Sequence, residues 1–267
     1  MMPHRTADEA TRRAALTPTA GAVSVSIVGA AATVTIGSGL RSNVLAPQDW
    51  QELERVAREL ATREDLAVVV IRGVAGTFSA GSDLRYWDGA KPGEVDADFA
   101  SIESALQAVE RLPIPTIAVV EGIAAGGSCE LALACDLRLF ADTARIGMPV
   151  VQLGVLVSPH FILRMTLLIG VARARELLYS GRLISAREAD RMGMANAVVP
   201  AGEMEAALAE WIGNISRQPR SGLVAAKAAS TVALEALRRR HQAPGWKFSD
   251  PGQLQSRITA FFRRTRH

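Results

Sequence analysis

A strand that ends in a glycine turn and leads directly into a helix is the feature that most restricts how this chain can fold. The apolar residues 115–120 lead into Gly126 and Gly127, and the small apolar residues 128–134 follow. Because the first amides of a helix have no partner inside it, free N–H groups are expected to converge near Gly127. Such a turn stabilises an anion or a developing oxyanion, and Glu130 places a carboxyl group one turn into the same helix.

Hydrophobic patterns on both sides of this turn predict a repeated unit of strands and a helix. Alternation at period two is typical of a hairpin, apolar residues at helical spacing are typical of an amphipathic helix, and short continuous apolar runs are typical of buried strands. The predicted order is a hairpin over residues 23–36, a helix after Pro47, a strand over 67–71, a long connection over 73–93, a helix over 95–112, a strand over 115–120 and strands over 137–140 and 145–147. This order predicts an α/β spiral of strand-strand-helix units.

Composition divides the chain into three parts. Residues 1–21 contain acids and arginines but no apolar stretch, which predicts a flexible N-terminal arm. Residues 22–200 carry the strand patterns and form the predicted core. Residues 201–267 show three helical stretches separated by prolines, which indicates a C-terminal helical region that packs on the core or on another subunit.

The charge pattern and the cysteines narrow the possible classes of protein. A net charge of +3 is spread along 267 residues, so we expect no nucleic-acid partner. Cys129 and Cys135 lie in apolar surroundings at a spacing that places them on different helix faces, which predicts two unpaired core residues and a reducing compartment. No apolar run is long enough to span a bilayer. These features predict a cytoplasmic protein without a membrane partner, and the arginine-rich, lysine-poor composition favours a bacterial source.

Two loops together resemble the enoyl-CoA hydratase/isomerase (crotonase) superfamily. The loop over 76–84 reads Gly-Thr-Phe-Ser-Ala-Gly-Ser-Asp-Leu and is similar to that family's first oxyanion-hole loop, and the turn over 126–130 is similar to its second. A glycine turn alone would be unremarkable, since tight turns need glycine in any fold, but the pairing and order of the two loops are specific. Further agreement follows in the family's order, over Cys135-Asp136, 180–189, 193–200, Ala226-Lys227 and 258–261, so that the resemblance covers residues 22–267.

This resemblance implies a crotonase-like fold of ββα units with a C-terminal helical trimerisation region. It also implies an acyl-CoA thioester as substrate, a homotrimer or a hexamer, no metal, and no cofactor beyond the coenzyme A of the substrate. By the same resemblance, the Ser82 and Gly127 N–H groups hold the thioester oxygen, and Glu130 is the catalytic acid or base. The implied coenzyme A contacts are Arg41, Ala80, Asp83 and Leu84, together with Arg264, which aligns with a basic residue that reaches the coenzyme A of a neighbouring subunit.

The chain departs from the family pattern where hydratases carry a second glutamate. Met148-Pro149 is followed here by Val150. Glu130 must therefore both orient the attacking water and supply the proton to Cα, or the reaction must differ. The segment over 157–164 replaces the family's usual proline- and glycine-rich turn. Its Ser158 and His160 could supply a polar group, although a lone histidine beside apolar residues is more often structural. Tyr86 and Trp87 could shape an acyl pocket or simply pack in the interior.

The sequence therefore favours an acyl-CoA enzyme of the hydratase/isomerase type and leaves two alternatives open. One is another reaction of the same superfamily, such as decarboxylation or dehydration of a coenzyme A or carrier-protein thioester, which needs the oxyanion donors but not two glutamates. The other is an acyl-CoA-binding protein that has lost turnover, with Val150 marking the loss.

Overall fold

The computed structural model describes residues 22–240, residue 247 and residues 250–264, so the predicted N-terminal arm over 1–21 lies outside the described residues. The strands are β1 (Val23–Val28), β2 (Ala31–Ile36), β3 (Val68–Gly73), β4 (Thr116–Val120), β5 (Ile123–Ala125), β6 (Leu137–Ala141), β7 (Arg145–Gly147), β8 (Leu183–Ser185) and β9 (Ala197–Val199). The helices are α1 (Pro47–Ala61), α2 (Pro92–Glu110), α3 (Gly127–Ala134), α4 (Pro159–Ser180), α5 (Ala186–Met192), α6 (Met204–Ser216), α7 (Arg220–Arg240) and α8 (Pro251–Arg264).

The strands form a six-stranded sheet in the order β1-β2-β3-β4-β6-β9 and a three-stranded sheet in the order β5-β7-β8. β1 and β2 pair antiparallel, which confirms the predicted hairpin. From β2 onward every pair in the large sheet is parallel, because a helix crosses over between successive strands. This alternation confirms the predicted α/β spiral.

Local sequence explains the central elements. β4 is apolar after its first residue, Thr116, and buried along its whole length, as expected for a parallel strand covered on both faces. α2 begins with Pro92 in its first turn, where the absent proline N–H matters least, and the Glu94 carboxylate accepts a 2.8 Å hydrogen bond from the Lys91 N–H. These signals explain why α2 starts a few residues before the predicted helix over 95–112. The helix also ends slightly before the predicted bound.

The C-terminal helices pack on the core of the same chain. α6 contacts β3 and β6, and α8 lies against the short turn over Val151–Leu153. Two ion pairs join these parts of the chain, Arg72 with Glu205 at 2.6 Å and Lys227 with Asp136 at 2.6 Å. A division into a core over 22–200 and a helical region over 201–267 is still a prediction.

The interior is built mainly from Val, Ile, Leu and Ala side chains, with few large aromatic residues. Cys129 and Cys135 are both buried and free, as predicted from their spacing. Burial raises the pKa of the Cys135 thiol to about 12, so this thiol is inert at neutral pH. Among the helices that the structure describes, none combines the length and the apolar character needed to cross a membrane.

Candidate active site

The loop over 76–84 is held beside the glycine turn by main-chain hydrogen bonds. The Phe78 N–H donates to the Glu121 carbonyl at 2.8 Å, and the Ser79 N–H donates to the Ile123 carbonyl at 2.8 Å. In return, the Ala125 N–H donates to the Ser79 carbonyl at 3.1 Å. The two loops that the sequence singles out are therefore joined along β5, a short strand that the sequence patterns did not predict.

Glycine is required where the two loops approach most closely. Gly81 has a φ of +95°, and a methyl group on its Cα would lie 2.5 Å from the Ala125 carbonyl oxygen. Gly126, which precedes α3, has φ and ψ of 57° and −128°, a conformation open essentially to glycine alone. Backbone geometry, rather than side-chain packing, thus accounts for both residues.

Ser82 and Gly127 both line a cavity of about 390 Å³, which we call the Glu130 cavity. A methyl group built on Gly127 would lie 3.4 Å from Ser82 Oγ, so the two loops are in contact at this point. Within the described ranges, neither N–H group donates to a protein acceptor. Two amide donors without partners, on residues that line one cavity, form a site suited to an oxygen that bears negative charge.

Glu130 lies one turn into α3, and its carboxyl group lines the same cavity. The residue is 9% exposed, and burial raises the pKa of its carboxyl group to about 8. The negative charge of Glu103 raises this pKa further, and the positive charge of Arg164 opposes the change. The Glu130 carboxyl group is therefore mostly protonated at neutral pH and can act as a proton donor.

A second polar cluster reaches the cavity from α2 and α4. Arg164 is 5% exposed and donates to Glu110 at 2.6 and 2.9 Å and to Glu103 at 3.1 Å. Ser158 donates to the other Glu103 oxygen at 3.3 Å, while the His160 ring nitrogen Nδ1 lies 3.9 Å from Glu103. Glu103 and Ser158 line the cavity, whereas His160 is not among its lining residues. The sequence pointed to Ser158 and His160 but missed Glu103 and Arg164.

The remaining wall of the cavity is mostly apolar. Val150 lines it at the position where the sequence lacks a second glutamate. Trp87 stacks on Phe99 with ring centroids 4.6 Å apart and lines the cavity, whereas Tyr86 is exposed. Other apolar lining residues are Ile102, Met148, Val155, Leu156, Val157, Phe261 and Phe262, the last two contributed by α8.

The residues implied for coenzyme A binding do not all reach this cavity. Arg41, Ala80, Asp83 and Leu84 line it, and the Arg41 guanidinium lies 3.9 Å from the Asp83 carboxylate. Arg264 lies near the end of α8, exposed, with Nε 3.4 Å from the Ala260 carbonyl, and it does not line the cavity. In the part of the chain that the structure describes, no cluster of three or more His, Cys, Asp or Glu side chains is placed to hold a metal ion.

Comparison with known proteins identifies the family. The model of the enoyl-CoA hydratase/isomerase family matches residues 27–245. A protein named probable enoyl-CoA hydratase echA8, from Mycobacterium tuberculosis, is 36% identical over 203 residues, which cover 76% of this chain and 78% of that protein. The chain therefore belongs to the enoyl-CoA hydratase/isomerase family, and the resemblance drawn from the two loops is confirmed.

Solved structures agree with this assignment. The crystal structure of an enoyl-CoA hydratase from Bacillus anthracis matches with a TM-score of 0.76 at 31% identity, covering 80% of this chain and 84% of that one. An enoyl-CoA hydratase/isomerase from Xanthobacter autotrophicus Py2 matches with a TM-score of 0.78 at 25% identity, covering 93% and 94% of the two chains. The predicted crotonase-like fold is thus confirmed.

Proposed function

We propose that this protein adds water to 2-enoyl-CoA thioesters, through an enolate held by the Ser82 and Gly127 amides. The observation that carries the proposal is that Ser82 and Gly127, whose amides have no acceptor among the described residues, line one cavity with the buried Glu130. Enoyl-CoA substrates fit the names of the relatives and of the matching family.

The Ser82 and Gly127 amides provide the largest single stabilisation of the transition state. When water adds to Cβ of the enoyl group, electron density moves onto the thioester oxygen, and two fixed donors stabilise that charge without reorganisation of solvent. One such donor contributes about 3 kcal/mol in comparable sites. The turn at Gly126 and the start of α3 fix the direction of the Gly127 N–H before the substrate arrives.

Glu130 is the proposed proton donor to Cα. Since its pKa is raised to about 8, the carboxyl group carries a proton at neutral pH and can release it as the enolate collapses. The same group, once ionised, can remove a proton from Cα of a 3-enoyl thioester and return it to Cγ, so isomerisation to the conjugated 2-enoyl thioester is accessible to the same residue.

The coenzyme A portion is proposed to lie along Ala80, Asp83 and Leu84, with Arg41 binding a phosphate. The Arg41 side chain is 54% exposed and next to the cavity, which suits a paired contact with a phosphate group. Arg264 is proposed to reach the coenzyme A of a neighbouring subunit in a homotrimer or hexamer. This reaction, proposed for the cytoplasm, needs no metal, no cofactor beyond coenzyme A and no nucleic-acid or membrane partner.

The test is to mix the purified protein with a short- and a medium-chain 2-enoyl-CoA. We expect the absorbance of the conjugated thioester to fall and the product to gain the mass of one water. The Glu130→Gln variant should lower kcat by roughly 10²- to 10⁴-fold. Glu203→Gln serves as the matched control, because Glu203 is exposed and outside the cavity lining. Binding of the enoyl-CoA without any conversion would overturn the proposal.

A further inference from the structure

Hydration requires two proton-handling groups, and the Glu130 cavity offers only one at the positions drawn from the sequence. One group must accept a proton from water, and another must deliver a proton to Cα. Glu130 is protonated at neutral pH and can deliver one, but Val150 cannot accept one. A second polar group must therefore come from elsewhere on the cavity wall.

We propose that Glu103, on α2, is the second catalytic carboxylate and holds the attacking water. This inference rests on the proposed hydratase function. Glu103 lines the same cavity as Glu130, Ser82 and Gly127, although it lies 27 residues before Glu130 in the sequence and on a different helix. Its charge acts directly on Glu130, so the two carboxyl groups are close enough to interact.

The hydrogen bonds of Glu103 fix its side chain and leave it able to accept another. Oε1 accepts from Arg164 at 3.1 Å and from Gln107 at 3.4 Å, whereas Oε2 accepts from Ser158 at 3.3 Å. Among the described residues, Ser158 is the sole hydrogen-bond donor to Oε2. Because each carboxylate oxygen has two acceptor positions, Oε2 retains one for a water in the cavity.

The charge balance indicates a role for Glu103 beyond pairing with Arg164. Glu110 already binds Arg164 through two hydrogen bonds and lies outside the cavity lining. The positive charge of Arg164 is thus matched by Glu110, and the Glu103 charge is an additional one placed at the cavity wall. A further carboxylate with only 12% of its side chain exposed, as in Glu103, is costly unless it serves a purpose.

The two carboxyl groups divide the chemistry between them. The ionised Glu103 accepts a hydrogen bond from water, and the water oxygen forms a bond to Cβ while one of its protons passes to Glu103. The electron pair of the Cα–Cβ double bond moves towards the thioester oxygen at Ser82 and Gly127. Glu130 then delivers its proton to Cα. Transfer of the proton from Glu103 to Glu130 restores the starting state, and the net change is the addition of one water.

The test compares Glu103→Gln with Glu110→Gln in the hydration assay. Both substitutions remove one carboxylate from Arg164, so both report the structural contribution of this cluster. We expect Glu103→Gln to lower kcat at least about 100-fold with KM changed less than about threefold, since Glu103 contacts water rather than the thioester. We expect Glu110→Gln to retain kcat within about threefold. Thermal unfolding and binding of a saturated acyl-CoA establish that both variants are folded.

The possible results of this comparison separate the role of Glu103 from the proposed hydratase function. Full hydration activity in Glu103→Gln would overturn the role of Glu103 and leave the proposed function standing. Equal losses of kcat in both variants would reduce Glu103 to a structural partner of Arg164. A wild-type protein that hydrates no enoyl thioester would overturn the proposed function and, with it, the role of Glu103.

Discussion

The buried Glu130 carboxyl group makes the stability of this protein depend on pH in a direction that can be measured. Glu130 is 9% exposed, and its side chain accepts no hydrogen bond from the residues described in the structure. Substitution by glutamine keeps the size of the side chain and removes the ionisable group. Glu130→Gln therefore isolates the free-energy cost of ionising this one position.

The sign and size of the effect follow from the pKa of Glu130, which is raised from its ordinary value of 4.5 to about 8. Because the folded state holds the proton more tightly than the unfolded state, the contribution to stability is fully present below pH 4.5. It is lost progressively as the pH rises and is gone above about pH 8. The full displacement of the pKa corresponds to about 5 kcal/mol, of which about 4 kcal/mol falls between about pH 5 and 9.

The assay is urea denaturation of wild type and Glu130→Gln at about pH 5, 7 and 9. Titrating groups that do not interact with Glu130 contribute equally in the two proteins, so they cancel in the difference between the unfolding free energies. We expect Glu130→Gln to gain stability relative to wild type by about 4 kcal/mol from about pH 5 to 9. A difference that stays constant over this range would refute the assignment of a buried, neutral Glu130.

Three further predictions concern the reaction. Gly127→Ala should lower kcat by about 100-fold, because the new methyl group would lie 3.0 Å from a Trp50 ring carbon and displace the Gly127 amide. An unchanged kcat would exclude that amide as a donor to the thioester oxygen. The hydration rate should fall as pH rises through about 8, because Glu130 loses the proton it must deliver; a rate that rises instead would make Glu130 the base. Arg41→Ala should raise KM about tenfold for an enoyl-CoA. The same substitution should leave KM unchanged for an enoyl thioester of pantetheine, because that substrate lacks the phosphates. Equal effects on the two substrates would show that Arg41 does not bind a phosphate.

Local sequence signals were enough for the elements with strong periodicity or special backbone needs. The hairpin over 23–36 shows clear alternation, and the loops that meet at Gly81 and Gly127 carry glycines that the close approach demands. Although β7, also three residues long, was predicted, the equally short strands β5, β8 and β9 show no periodic pattern and were not predicted. They are defined by pairing with distant strands.

The polar cluster at the cavity could not be found from sequence for a different reason. Glu103 lies on α2 among other polar residues, where a carboxylate is ordinarily a solvated surface group. Only the packing of α2 beside α3 and α4 brings Glu103 to the cavity and gives it Arg164 as a partner 61 residues away. Phe261 and Phe262 line the cavity because α8 packs against the core of the chain. Local periodicity does not reveal this contact.

The central claim is that this site forms a thioester enolate with Glu130 as the proton-transfer group. Exchange of the Cα hydrogens of a saturated acyl-CoA in heavy water tests it most directly, because exchange requires the enolate but neither a double bond nor an added water. At about pH 8, wild type should incorporate deuterium at Cα by mass spectrometry, and Glu130→Gln should do so at least about 100-fold more slowly. Absence of exchange from a bound acyl-CoA in wild type, or equal exchange in the two proteins, would contradict the account.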